Sequence, residues 1–386
     1  MTTLRAGDWV EVRSREEILR TLDKNGRLDE MPFMPQMFEY CGQRLRVYKR
    51  AHKACDTVNP VAGRRISSSV HLDTRCDGMA YGGCQAACLL FWKEAWLKPV
   101  GESAGIPSTS EHVEARPLPE RAAEAACSEQ EVWKGTRGAD VEGQPRYTCQ
   151  ATQLPRFTQP LAWWDVRQYV EDYTSGNTSL GRMTRGVIYL FFWHILLAKK
   201  RKLGRPARVF YDWFQGLWGG IPFPKRVGTL PVGQMAPCSD LNLQPGDLVR
   251  MKSYEEIRAT LVSSSNTNRG LSFDAELVPF CGGEYRVKTR VIRFIDEKTG
   301  AMKSLKTPAV ILENVWCQSR YSDCRMFCPR SIYAWCREAW LERIPEIASH
   351  HPVLSSSRAI GNSSERDGTE RIVANEAAGH ARRHNA

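Results

Sequence analysis

An internal duplication constrains what this chain can fold into more than any other feature of its sequence. GDWVEVRSREEILRTL at 7–22 matches GDLVRMKSYEEIRATL at 246–261 without a gap. The same order of landmarks continues over about 90 residues, which chance does not explain, so we expect one domain to occur twice in tandem. The later landmark pairs are EYCGQRLRV at 39–47 with PFCGGEYRV at 279–287, and FWKEAWL at 91–97 with WCREAWL at 335–341.

Each copy begins with a pattern that predicts a strand followed by a helix. Val10 and Val12 alternate with polar residues after a Gly-Asp pair, as expected for a half-buried strand. Ser14 precedes Glu17 at the spacing of a capping box, in which the hydroxyl and the carboxylate each accept a hydrogen bond from a free amide at the helix start. The second copy repeats this pattern with Val249, Met251, Ser253 and Glu256.

A second, amphipathic helix is predicted at the end of each copy. In the first copy the segment CQAACLLFWKEAWL at 84–97 would form it, so that Cys84 lies at its N-terminus. Alignment of the two copies places Cys328 at the same position, and Pro329 directly after it fits the first turn of a helix.

The landmarks also carry a resemblance to a known fold. In each copy a Gly-Asp strand leads into a short helix, a glycine-centred turn (Cys41-Gly42 or Cys281-Gly282) and further strands. This order resembles the SH3-like repeats of Mind bomb ubiquitin ligases. The resemblance covers about 45 residues of each copy and implies the fold but no activity. The chain also resembles a family of uncharacterised bacterial proteins with paired modules. We therefore expect an α+β fold with two tandem SH3-like small β-barrel modules, each ending in a helix.

The landmarks divide the chain into five segments. Two modules of the duplicated kind, 1–100 and 245–344, enclose a central region, 145–244, that is aromatic and basic and is expected to be mostly helical. Residues 101–144 are rich in Ser, Pro, Glu, Ala and Gly, a composition typical of a linker or long loop. Residues 345–386 are polar and lack periodicity, so we expect a disordered tail.

The composition of the chain indicates where in the cell the protein is located and what its thiols do. The 386 residues carry a net charge of +11 and include 13 cysteines. The start, MTTLRAGDWVEV, lacks the apolar stretch of a secretory signal, so we expect a reducing, cytoplasmic location. There, thiols bind metals or react more often than they form disulfides. The sequence contains no phosphate-binding loop, dinucleotide-binding glycine motif, H-E-x-x-H pair or G-x-S-x-G elbow, which excludes the enzyme classes that depend on these motifs.

The cysteines of the first module are the strongest chemical signal. Cys84 and Cys88 would share one face of the predicted helix, and Cys76 precedes them across a glycine-rich turn. Thiolates that converge in this way suit zinc or an iron–sulfur cluster, and the spacing does not decide between the two. Candidates for a fourth ligand are Cys41, Cys55, Cys149, His52 and His71, and the second module offers Cys281, Cys317, Cys324 and Cys328.

Two other interpretations of these cysteines remain open. A helix N-terminus would lower the pKa of Cys84, which could then act as a nucleophile with His52 or His71 as its base. RAHKACD at 50–56 also brings His52 close to Cys55, whereas the matching VIRFID of the second module has neither residue. Alternatively, the thiols are small buried hydrophobic groups within the core.

The central region carries a separate signal. GVIYLFFWHILLA at 186–198 is apolar on almost every side and has basic residues before and after it. As a helix it would be about 20 Å long, too short for the roughly 30 Å core of a bilayer. We expect either a buried helix or an in-plane anchor on an anionic membrane surface through 182–208. The charge also permits nucleic-acid binding, although no nucleic-acid motif is present.

These signals together predict a cytoplasmic metal-binding accessory or scaffold protein that acts with a partner enzyme, at the inner membrane face if 182–208 anchors it. Two competing predictions stand beside it. One is a redox or thiol-dependent enzyme that uses Cys76, Cys84 and Cys88. The other is a basic nucleic-acid-binding module.

Overall fold

The computed structural model of the protein describes residues 3–59, 63–101, 127–197, 204–217, 220–322 and 324–345. They form a mixed α+β fold around two five-stranded antiparallel sheets. The elements of the first sheet and its surroundings are β1 Trp9–Val12, α1 Arg15–Leu19, β2 Arg27–Leu28, β3 Met31–Pro32, β4 Arg44–Arg50, β5 Lys53–Cys55, β6 Gly63–Arg65, β7 Ser69–Leu72, β8 Trp92–Lys93 and β9 Leu97–Val100.

The remaining elements follow in two groups. In the sequence between the strands of the first sheet and those of the second, the chain forms α2 Glu129–Lys134, β10 Gln159–Leu161, α3 Arg167–Thr174, α4 Leu180–Leu197 and α5 Gly204–Leu217. The second sheet and its surroundings comprise β11 Leu248–Met251, α6 Tyr254–Ala259, β12 Thr267–Asn268, β13 Leu271–Ser272, β14 Glu284–Ile295, β15 Met302–Trp316, β16 Tyr333–Cys336 and β17 Leu341–Arg343.

The two five-stranded sheets have the same strand order. The first runs β8-β7-β4-β1-β9 and the second runs β16-β15-β14-β11-β17. The register agrees as well, because Val10 lies opposite Leu45 where Val249 lies opposite Tyr285. This equivalence is the arrangement that a tandem duplication leads us to expect, since the same hydrophobic pattern places each strand in the same register.

Local chemistry starts the first helix of each module as predicted. Ser14 Oγ accepts a hydrogen bond from the amide of Glu17 at 3.3 Å, and the Glu17 carboxylate accepts one from the amide of Ser14 at 2.9 Å. Ser253 and Glu256 make the same pair of bonds at 3.3 and 2.9 Å. Both predicted capping boxes are confirmed.

A buried tryptophan anchors the core beneath each sheet. The indole of Trp96 donates a hydrogen bond to Thr21 Oγ1 at 3.0 Å, and the indole of Trp340 donates one to Thr260 Oγ1 at the same distance. Both tryptophan side chains are fully buried. A buried indole contributes a large apolar area, and its N–H needs the partner that the threonine supplies.

The predicted helix at the end of each module is wrong. Residues 84–90 form no helix, and Glu94–Trp96 and Glu338–Trp340 are single 3₁₀ turns that lead directly into β9 and β17. β9 then pairs with β1, and β17 pairs with β11. The backbone N–H and C=O groups that form these inter-strand hydrogen bonds would bond within the helix if it continued. Pairing across the sheet therefore overrides the helical pattern of the local sequence.

Other parts of the expected architecture also differ. Within the described residues neither five-stranded sheet closes into a barrel, so the SH3-like barrels stay a prediction. The described end of the predicted linker packs onto the first module, where Cys127 and Val132 enter the core. The central region is only partly helical, because the described residues 220–247 form no helix. The predicted disordered tail beyond residue 345 lies outside the described residues.

Candidate thiol site between the two sheets

A loop of the second module lies against the first. This loop, residues 324–332, precedes β16 and is called the junction loop below. Ser331 Oγ accepts a hydrogen bond from Lys49 Nζ at 3.0 Å, and Arg330 Nη1 donates one to the carbonyl of Cys55 at 3.0 Å. Side chains that are far apart in sequence are thereby brought into contact.

Two buried cysteines meet at this contact. Cys55 ends β5 and Cys328 lies on the junction loop, and their exposed fractions are 6% and 3%. The amide of Cys55 donates a hydrogen bond to Cys328 Sγ at 3.1 Å, and the two thiols are themselves hydrogen-bonded. Neither cysteine is in a disulfide.

The surroundings distinguish the two thiols. Burial opposes ionisation of Cys328, but hydrogen bonds from the Cys55 thiol and the Arg330 amide, together with the Arg330 charge, lower the pKa of Cys328 below its ordinary value. The hydrogen bond to Cys328, together with burial, raises the pKa of Cys55. The pair therefore combines an activated thiol with a protonated neighbour, the arrangement that favours thiol–disulfide chemistry.

Arg330 holds this charge distribution in place. Its guanidinium is almost fully buried and lies 3.4 Å from Glu297 Oε1, while Glu297 also accepts a hydrogen bond from Thr57. Burial disfavours the charged guanidinium, but Glu297 and the nearby thiols raise the pKa of Arg330 above its ordinary value. A permanent cation thus lies beside Cys328, where it stabilises a thiolate.

A second buried polar cluster lies at the start of β5, where Lys53 Nζ is also 5.9 Å from the ring centroid of Phe327 on the junction loop. Lys53 Nζ contacts Asp172 Oδ2 at 2.5 Å, and His52 Nε2 lies 3.2 Å from Asp172 Oδ1. Burial lowers the pKa of Lys53, although Asp172 partly offsets this effect. His52 is thus engaged with α3, and the structure does not pair it with Cys55 or Cys84 as a base.

A cavity of about 360 Å³ borders Cys55 of the thiol pair and is partly open to solvent. Cys55 and Cys317 line it, together with Arg226, Arg325 and Glu276. The amide of Tyr321 donates to Glu276 Oε1 at 2.6 Å, whereas Oε2 has no hydrogen-bond partner among the described residues. Burial raises the pKa of Glu276. The volume lies in the range of small-molecule sites, so a small reactant has a route to Cys55.

A second cavity, of about 30 Å³, is lined by four cysteines: Cys76, Cys84, Cys88 and Cys149. The amide of Cys76 donates to the carbonyl of Cys88 at 2.8 Å, and Cys84 Sγ accepts a hydrogen bond from the amide of Ile295 at 3.4 Å. Burial raises the pKa of Cys76, Cys88 and Cys149. The structure therefore gathers the three predicted cysteines of the first module and the distant Cys149.

The side chains of this cavity are not arranged as a metal site. Among the described residues, no three or more His, Cys, Asp or Glu side chains are arranged to hold a metal ion. Of the other candidate ligands, Cys55 contacts Cys328, and Cys317 lines the same cavity as Cys55. Cys41 and Cys281 pack against the first and the second core respectively, away from Cys317 and Cys328, and Cys324 begins the junction loop.

Two of the expected catalytic roles lose their physical basis. Cys84 is not at a helix N-terminus, so the dipole that would have activated it is absent. His71 is fully buried, and its Nδ1 lies 2.8 Å from the carbonyl of Leu90. No helix follows Cys328 either, and the lowered pKa of that thiol has the different causes described above.

Sequence reasoning missed the residues that matter most here. It did not anticipate that Cys55 meets Cys328, nor that Arg330 and Glu297 surround them. The only sequence signal was the position of Arg330 two residues after Cys328. Comparisons with protein-family models, with curated proteins and with solved structures find no match to this chain.

Proposed function

We propose that the protein is a thiol redox protein in which Cys55 and Cys328 interconvert between two thiols and one disulfide. The observation that carries the proposal is the contact between an activated and a protonated thiol across the junction of the two modules. The disulfide would join positions 273 residues apart in sequence, and oxidation would therefore lock the junction loop to β5.

A peroxide is the class of oxidant that fits this pair. The Cys328 thiolate attacks one peroxide oxygen, the O–O bond breaks, and the departing hydroxide takes up a proton to form water, which leaves Cys328 as a sulfenic acid. The Cys55 sulfur then attacks the Cys328 sulfur. The S–O bond breaks, and the hydroxide leaves as water with the proton of Cys55. Two electrons pass from the thiols to the peroxide, and a dithiol reductant reverses the change.

The test is to identify the first disulfide that forms. Reduced protein is treated with stoichiometric hydrogen peroxide, blocked with an alkylating agent, and digested for mass spectrometry without reduction. We expect a Cys55–Cys328 cross-linked peptide as the main product. Cys55→Ser should stop at a sulfenic acid on Cys328, which dimedone traps, and Cys328→Ser should give neither product.

The matched control is Cys127→Ser, which alters a buried thiol bonded to the Ser128 carbonyl. It should form the Cys55–Cys328 cross-link as the wild type does. A first disulfide that involves Cys317 or the four-cysteine cavity would contradict the proposal, and so would a wild-type pair that resists peroxide. The experiment on the wild type does not depend on whether a variant folds.

A metal-binding scaffold is the second candidate, and the four-cysteine cavity favours it. A cavity of about 30 Å³ accommodates one or two water-sized spheres, so it suits a single ion such as zinc better than an iron–sulfur cluster. Bound zinc would hold Cys76, Cys84, Cys88 and Cys149 as thiolates, and the thiols would release their protons when it binds. The pKa of Cys76, Cys88 and Cys149 is raised by burial in its absence. The protein would then act as an accessory to a partner enzyme.

Metal analysis of protein purified without oxygen tests this candidate. We expect one zinc per chain in the wild type and in Cys127→Ser, and none in Cys84→Ser/Cys88→Ser. Iron with acid-labile sulfide would instead indicate a cluster. A metal-free wild type would eliminate the candidate and leave the redox proposal unaffected.

A further inference from the structure

An exposed aromatic surface covers the outer side of the hairpin formed by α4 and α5. Phe191, Phe210 and Trp213 are 63%, 51% and 58% exposed. Ring contacts connect them, with centroids 5.8 Å apart between Phe191 and Phe192, 5.9 Å between Phe192 and Phe210, and 5.5 Å between Phe210 and Trp213. We call Phe191, Phe192, Phe210 and Trp213 the aromatic face.

Phe192 is partly buried and packs against the inner core of the hairpin, with its ring centroid 5.3 Å from that of Tyr211. The exposed Phe191, Phe210 and Trp213 lie outside that core. In the inner core Tyr189, Tyr211 and Phe223 are buried together, and Tyr321 of the second module packs against Tyr189 with ring centroids 5.0 Å apart. Val187, Val209 and Leu217 add further exposed apolar side chains to the two helices. A contiguous apolar surface of this kind on a folded protein marks an interaction site.

Charge identifies the partner. Arg185 on α4 and Arg208 on α5 are exposed, and the Arg208 guanidinium lies over the ring of the buried Phe223, 5.7 Å from its centroid, at the edge of the inner core. The sequence between the two helices, 198–203, reads AKKRKL and contains four basic residues. Exposed aromatic side chains on two helices whose connecting sequence is basic match an anionic lipid surface, where aromatic rings enter the headgroup region and Lys and Arg pair with the lipid charges.

The helices are suited to lie on a membrane. No helix among the described residues is long and apolar enough to cross one. α5 is amphipathic, with Tyr211 fully buried and Phe210 and Trp213 exposed. We infer that the aromatic face of α4 and α5 docks in the plane of an anionic lipid bilayer, with Phe191, Phe210 and Trp213 at headgroup depth.

Vesicle flotation tests this inference. Full-length protein is mixed with vesicles of phosphatidylcholine alone or of phosphatidylcholine with phosphatidylglycerol. We expect flotation with the anionic vesicles only, and a loss with added salt, because salt screens the cationic contribution. Phe191→Asp/Trp213→Asp should reduce the bound fraction about tenfold or more, since the aspartates place charge where apolar side chains insert.

The matched control is Val232→Asp/Met235→Asp, which places the same charges on exposed apolar positions outside both helices of the hairpin. It should float like the wild type. Phe191→Ser is a milder change and should reduce the bound fraction by an intermediate amount. It keeps the test valid if the double aspartate variant misfolds. Equal flotation of the aspartate variant and the wild type would overturn the inference. So would a dimer in size-exclusion chromatography that the aspartate variant abolishes, because a second copy would then be the occupant.

Discussion

A fall in pH from 7 to 5 should destabilise the protein through His71. This side chain is fully buried on β7, and its Nδ1 lies 2.8 Å from the carbonyl of Leu90. Burial lowers the pKa of His71 from its ordinary value of 6.5 to about 3, because the hydrogen bond to Leu90 offsets only part of the desolvation. The charges of Lys49 and Arg330 act in the same direction as burial.

The sign and the size of the effect follow from this pKa. The unfolded chain protonates His71 below about pH 6.5, whereas the folded chain does so only near pH 3. Between these values the unfolded state binds more protons, so the free energy of unfolding decreases as the pH is lowered. The loss approaches about 1.4 kcal/mol per pH unit, and it amounts to about 2 kcal/mol between pH 7 and pH 5.

Urea unfolding followed by tryptophan fluorescence at the two pH values measures this loss. His71→Asn keeps a donor for the Leu90 carbonyl but cannot titrate, so its stability should change by about 2 kcal/mol less than that of the wild type over the same interval. His194→Asn, at an exposed position on α4, should behave as the wild type does. Equal losses for the wild type and His71→Asn would refute the assignment of this pH dependence to His71.

Two further substitutions test the structure around the site. Lys53→Met leaves the carboxylate of Asp172, which is fully buried, without its cation, and should cost about 3–5 kcal/mol in urea unfolding, most of which Lys53→Met/Asp172→Leu should restore. An undiminished loss in the double variant would contradict this reasoning. Gly78→Ala places a Cβ 1.9 Å from the carbonyl oxygen of Cys84 at a φ of +74° and should lower stability by about 1–3 kcal/mol in thermal unfolding. Gly101→Ala, with open space around it, should be nearly neutral, and equal effects of the two would argue against the close approach of Gly78 to the Cys84 carbonyl.

The fold was predictable where short-range chemistry decides it. The capping boxes at Ser14 and Ser253 depend on residues three apart, and both form as expected. The strands β1 and β11 follow from two-residue alternation. The helix expected after Cys84 failed because Leu97 pairs with Val12 in the sheet, a contact that residues near Cys84 do not encode.

The candidate site shows the same division. The three cysteines at 76, 84 and 88 were identifiable by proximity in the chain, and they do line one cavity. Cys149 was one of several distant candidates, and sequence spacing provided no reason to select it. The contact between Cys55 and Cys328 was not foreseen, because it depends on how the junction loop packs against β5.

The sequence by itself thus determined the duplicated order of strands and capped helices. The alternation of apolar and polar residues in a strand and the capping of a helix both depend on residues that are close together in the chain. The tertiary structure alone decided which thiol is activated. The pKa of Cys328 is set by burial, by the Cys55 thiol and by the Arg330 cation, and the contact with Cys55 requires the two modules to pack together. Electrostatic stabilisation of a thiolate depends on distance and solvent exclusion, which are properties of the packed molecule rather than of the residue order.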